Sequence, residues 1–242
     1  MPLIGLAQTL AQEADKLKVN EDEKIMGAGA EATAASSKAE KTALPVPTPM
    51  ELIRKDSAYT SAYHDVYHIL SGQNPCSSFF GGSSTAVEVL NDLFSKLETT
   101  RLSERKTGLS MSGKTRYVMN ARTGATYRLF EKAVINTNGP FYQRKFSAAD
   151  PFVPNIGSFQ PNTREARAAI LLHEMGHLLQ GADGRWLLPN DGTSDELSRK
   201  NTTTIESRCG EQIKALQQSG KNTKESKPGA KLAAPEKGSE RK

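Results

Sequence analysis

The sequence predicts an α+β domain, a small antiparallel sheet packed on one central, densely apolar helix and on further helices. Three observations carry that reading. Apolar residues recur at helical spacing in four stretches, the period shortens to two between residues 115 and 135, and apolar residues thin out before residue 51 and after residue 217. Only 36 % of the 242 residues are apolar, below the share usual for a fully packed chain, so part of it is expected to lie outside the core.

Residues 1–50 read as a flexible linker. Ala, Glu, Lys and Ser dominate it, and Leu44-Pro45-Val46-Pro47-Thr48-Pro49 closes it as a stiff extended stretch. Its first residues, Met1 to Ala7, are apolar and end in small side chains, but they lack a basic region and are too short for a complete leader. They resemble the last part of a truncated signal peptide, which points to export to the periplasm or the medium rather than to a cytoplasmic protein. Residues 51–217 are the expected folded unit, of ordinary domain size.

Within that unit, Leu52, Tyr59, Tyr63, Tyr67 and Leu70 keep close to helical spacing. A break follows at Ser71-Gly72 and Asn74-Pro75. Thr85 and Glu88, after Gly81-Gly82, form a capping-box pattern ahead of the stripe Val87, Leu90, Leu93, Phe94 and Leu97. Arg116–Met119 and Thr126–Phe130 read as strands joined around Gly124. Ala133-Val134-Ile135 reads as a third, stopped by Asn138-Gly139-Pro140. Prolines and Gly157 mark 141–161 as a loop. The central helix is expected to start at Asn162 or Thr163 and to stop at Gly181. A last helix starts at Ser194 and buries Leu197, Ile205, Cys209, Ile213 and Leu216. Residues 218–242 are too poor in apolar side chains to order themselves and read as a disordered basic tail.

Charge narrows the classes of partner. The net charge is +5, yet from Lys221 onward seven Lys or Arg face three Glu, so four of the five net charges belong to the tail. The body is nearly neutral, and the tail has no aromatic residues to stack on bases, so nucleic acid is not expected. No stretch approaches the ~20 apolar residues of a membrane-spanning helix.

The chemistry concentrates in His173-Glu174-Met175-Gly176-His177. On a helix, His173 and His177 project from one face, one turn apart, the placement two imidazoles need to share a zinc ion. Glu174 beside them can take a proton from a metal-bound water as general base. Three ionisable side chains in so apolar a helix would be costly unless paired or metal-bound. The chain has four histidines in all, so the pairing is no by-product of abundance. His64 and His68 share the four-residue spacing, but on a Tyr-rich helix they read as partly exposed residues.

With its HExxH signature, the sequence resembles the zincin metallopeptidases. It is also similar to a group of uncharacterised bacterial exported HExxH proteins. Thr163, Ala166 and Arg167 before Leu171-Leu172-His173-Glu174, then Asn190-Asp191-Gly192, Ser198, Asn201 and Cys209, with Cys76 and Phe79-Phe80-Gly81-Gly82 upstream, carry that similarity. The resemblance implies a zincin-like fold, zinc as cofactor, and an edge strand that aligns a peptide beside the active helix. The third ligand is left open. Asp183 stands ten residues after the first His, as in metzincins, but Gln180 replaces the glycine expected there. Glu196 would suit a ligand from the next helix, and Glu206 lies further along. Asp191 is preferred, because the similar exported proteins share the triplet around it.

Cys76 and Cys209 lack the paired spacing of a zinc site; given export, a disulfide from the early loop to the last helix is expected. Tyr142 is a candidate donor to an oxyanion. The favoured function is a zinc-dependent metallopeptidase acting on a peptide or protein. A hydrolase of another amide, or an inactive zincin-fold binding module, are the alternatives.

Overall fold

The computed structural model describes residues 44–52, 56–120, 122–144 and 153–225, with side chains as far as Gln217. The leader-like start, the linker over 8–43 and the tail from 226 lie outside the described residues. Among those described, the chain forms five α-helices and a three-stranded sheet: α1 (Ser57–Ser71), α2 (Pro75–Phe79), α3 (Ser83–Lys96), β1 (Leu97–Thr100), β2 (Leu109–Met119), β3 (Thr126–Asn136), α4 (Arg164–Leu178) and α5 (Asp195–Glu225). No helix among these residues is long and apolar enough to cross a membrane.

Asp56 opens α1, its carboxylate accepting the Ala58 and Tyr59 N–H groups at 2.9 and 3.2 Å. Of the residues expected on its buried side, Tyr59, Tyr63 and Leu70 are buried, with Val66 beside them, whereas Tyr67 is half-buried and Leu52 precedes the helix. The break after Ser71 contains a short helix, α2, closed by a reciprocal cap between Asn74 and Ser77, with Pro75 at its first position. Five residues are too few for a period to show. And α3 starts at Ser83 from Gly82, whose φ of 92° lets the chain turn in without a side-chain cap. Thr85 therefore lies inside the helix and is buried, while the Glu88 carboxylate accepts the Asn120 side-chain amide.

The sheet is mixed rather than antiparallel. Its order is β1-β3-β2, with β1 parallel and β2 antiparallel to β3. β1 was not expected, since its four residues continue directly from the apolar stripe of α3 and carry no turn signal. The two segments expected at 126–130 and 133–135 are one strand, and β2 begins earlier, at Leu109. Gly124, at φ 69°, does lie in the turn between β2 and β3.

The stretch expected to close a free linker is docked over its described part. Met50 N–H donates to the Tyr63 hydroxyl (2.6 Å), and Pro47 and Thr48 carbonyls accept from Tyr67 and Asn91 (3.1 and 3.3 Å). Val46, Met50 and Leu52 pack against the core beneath.

α4 runs through the centre, with twelve of its fifteen residues buried against α1, α3, α5 and the sheet. Thr163 caps it, accepting the Ala166 N–H at 3.1 Å. Arg164 at its start ties three helices together, donating to Asp65 of α1 (2.9 Å) and to the Leu216 carbonyl of α5 (3.0 Å). Cys76 and Cys209, both fully buried, form the expected disulfide and join α2 to α5. The α5 backbone continues past 217 to Glu225.

Two phenols, the buried Tyr127 and the half-buried Tyr142, bridge elements by donating to carboxylates, Tyr127 to Asp92 (2.6 Å) and Tyr142 to Asp56 (2.5 Å). Burial first, and the adjacent carboxylate next, hold both phenols far above their ordinary range. An unfolded chain releases tyrosine protons near pH ~10. Above that the unfolded state binds fewer protons than the folded one, so stability is expected to fall with rising pH. Replacing both tyrosines by Phe should flatten that alkaline slope in urea unfolding between about pH 8 and about pH 11.

Candidate metal centre

His173 and His177 lie one turn apart on α4, with ring centroids 5.0 Å apart. What brings a third donor to them is the chain's return after the helix. α4 stops at Leu178, before the expected Gly181, because the backbone there turns into a small hairpin. Leu179 bridges to Tyr127 of β3, and Gln180 to Trp186. Gly181 sits in the hairpin turn, its N–H donating to the Arg185 carbonyl at 2.7 Å. The chain then runs back along the end of α4. Leu187 N–H donates to Leu179 O and Leu188 N–H to Gly176 O, both at 2.9 Å. The glycine in the motif is what permits this: a Cβ at Gly176 would stand 2.5 Å from Leu188 Cδ1. Asn190 accepts the Gly192 N–H, and Ser194 caps α5 by accepting the Leu197 N–H, each at 3.2 Å. Asp191 is held between these two fixed points.

Its carboxylate meets both imidazoles, Oδ2 at 3.0 Å from His173 Nε2 and Oδ1 at 3.5 Å from His177 Nε2. The three donor atoms lie within 4.8 Å of one another, and both histidines are buried, so this group can hold a metal ion. Burial opposes the Asp191 charge, but the hydrogen bond with His173 and the nearness of both imidazoles outweigh it and hold the carboxyl far below the ordinary range. Burial also opposes charging His177, and Asp191 and then Glu174 reverse that, raising its pKa. Neither ring nitrogen of His177 closes a hydrogen bond among the described residues, although both are buried. Such an orphaned imidazole costs free energy unless something else binds it.

A cleft of about 260 Å³ opens onto this group, its lining including His173, Glu174, Asp191 and Thr202 together with Glu104 and Lys106 to Leu109. Glu174 is half-buried there. Desolvation pushes its carboxyl up, Asp191 adds to that, and the two imidazoles act against it. The 104–109 segment is shaped by Asn136, a fully buried residue at the end of β3. Its amide donates to the carbonyls of Glu104 (2.5 Å) and Thr107 (3.0 Å), and its oxygen accepts the Leu102 N–H (3.0 Å).

The other residues singled out from sequence lie elsewhere. Asp183 is an exposed turn residue that accepts the Arg185 N–H, and Glu196 is an exposed partner of Lys200 one turn on. Glu206 accepts from the Ser158 N–H and hydroxyl and fastens the 156–159 turn. Tyr142 is committed to Asp56, away from the cleft. His64 and His68 are exposed on α1, edge-on to Tyr63 and Tyr67, and belong to no metal-binding group among the described residues. Three participants gave no signal in the sequence: Thr202, whose hydroxyl is 3.0 Å from His173 Nδ1, Asn136, and Arg128, which donates to the His177 carbonyl at 2.8 Å while lying over the Trp186 ring. Comparison with known family models, with characterised proteins and with solved structures gives no match, so any functional assignment has to stand on these side chains and their geometry.

Proposed function

We propose that the protein is a zinc-dependent hydrolase of the zincin type, acting on peptide bonds. The observation that carries this is the convergence of two buried imidazoles and one carboxylate beside a cleft that His173 and Asp191 line, with a further carboxylate next to them. Two nitrogens and one oxygen are a donor set that suits zinc and leaves a position open. The unpartnered nitrogens of His177 favour the same fit, because a cation there would satisfy Nε2. His173 Nε2, His177 Nε2 and an Asp191 oxygen would hold the ion. When bound, zinc polarises a carbonyl oxygen and makes water more acidic.

The chain's own residues supply the rest. Glu174 faces the cleft next to the first histidine, and its desolvated carboxylate is basic enough to take a proton from water and later return it to a leaving amine. Thr107-Gly108-Leu109, where edge strand β2 begins, also lines the cleft. An edge strand leaves backbone groups free to pair with an extended substrate, which favours a peptide over other amides. The disulfide is compatible with export, and we place the enzyme outside the cytoplasm.

The test is to load the full chain with zinc and assay a broad peptide library. Cleavage should stop on chelation and return with added zinc. Cleavage that persists through chelation, or a loaded protein inert on the whole library, would count against the proposal.

A further inference from the structure

We propose that Thr202 is the positioning residue for His173, its hydroxyl fixing the ring so that Nε2 is the nitrogen presented to the metal; this rests on the zinc reading above. Thr202, Thr203 and Thr204 are consecutive on α5, and they behave differently. Thr203 donates to the Arg199 carbonyl at 3.0 Å and Thr204 to the Lys200 carbonyl at 3.1 Å, the usual return bond of a helical threonine. Thr202 instead meets His173 Nδ1 at 3.0 Å, across the interface between α4 and α5.

A hydroxyl both donates and accepts, whereas a carboxylate or carbonyl only accepts. That difference matters at this ring. Facing Asp191 at 3.0 Å, a neutral ring puts its one proton on Nε2, since an ionised carboxylate can only accept, and Nδ1 then accepts from Thr202. Presenting Nε2 to a cation requires the other tautomer, with the proton on Nδ1. The same hydroxyl, rotated, then accepts it. Thr202 thus leaves the ring satisfied both before and after a metal is bound, with no movement of either helix. Among the described residues it is also the one side chain that meets the outer nitrogen of either histidine. Outer partners of this kind commonly set metal affinity.

The experiment is a zinc titration of the metal-free full chain against a competing chromogenic chelator, for wild type, Thr202→Val and Thr202→Ser. Thr202→Val keeps the shape but leaves Nδ1–H buried without an acceptor, and should weaken zinc by about 10–100-fold; Thr202→Ser should stay within about threefold of wild type. Independently of any variant, long-range proton–nitrogen spectra of the zinc-loaded wild type should show the His173 ring proton on Nδ1. A wild type that takes up no zinc overturns the metal centre and this assignment together. A wild type that binds zinc, with Thr202→Val its equal or with Nδ1 as the ligating nitrogen, overturns this assignment alone.

Discussion

Replacing Glu174 by Gln is expected to leave zinc uptake unchanged and to lower hydrolysis by about 10²–10⁴-fold, the usual contribution of a positioned general base. Gln has the same shape but cannot take a proton at neutral pH. The donor set of His173, His177 and Asp191 does not include Glu174, so nothing in the substitution removes a ligand. Cleavage rate and metal content measured on the same preparation separate the two roles. A Gln variant that loses its metal would make Glu174 a structural member of the centre. One that keeps wild-type activity would remove it from the chemistry altogether.

The second large effect is on stability. Converting Cys76 and Cys209 to Ser should cost about 2–5 kcal/mol, because the bridge closes a loop of 133 residues in the unfolded chain. The loss has a functional edge. α5 carries the Thr202 hydroxyl, and its cap at Ser194 lies three residues after Asp191, so loosening α5 from α2 frees two parts of the centre at once. Urea unfolding of wild type and double variant, with zinc affinity of each, checks both. A change within about 0.5 kcal/mol, the range of an ordinary surface substitution, would mean that α5 is held by its packing alone.

How much of this was legible in the sequence depended on how local each signal was. α4 and α5 were readable because dense apolar repeats and single-residue caps at Thr163 and Ser194 are encoded within a few positions. The pairing of Cys76 with Cys209 was readable because there were two cysteines and one way to join them. β1 was not, since four residues continuing a helical stripe carry no period of their own, and its parallel pairing to β3 is a long-range choice. The capping box at Thr85 and Glu88 satisfied the pattern but lost to a start three residues earlier, from a glycine already turned to positive φ. Asp191 was named from the triplet around it that the similar exported proteins share, not from any spacing rule. That it reaches both imidazoles depends on the Gly176–Leu188 contact, which no spacing rule contains. Thr202 and Asn136 act across elements that are distant in sequence, so neither left a local trace. Tyr142 shows the converse: a residue type suited to the chemistry, used instead to bind the end of one helix.

The centre itself is tested most directly by equilibrium dialysis of the metal-free full chain against zinc, alongside His177→Ala. Wild type should bind one zinc per chain, and the variant, deprived of a buried imidazole that no group among the described residues satisfies, should bind none at that site. A wild type that remains metal-free at saturating zinc, or a variant that binds as the wild type does, would contradict the account.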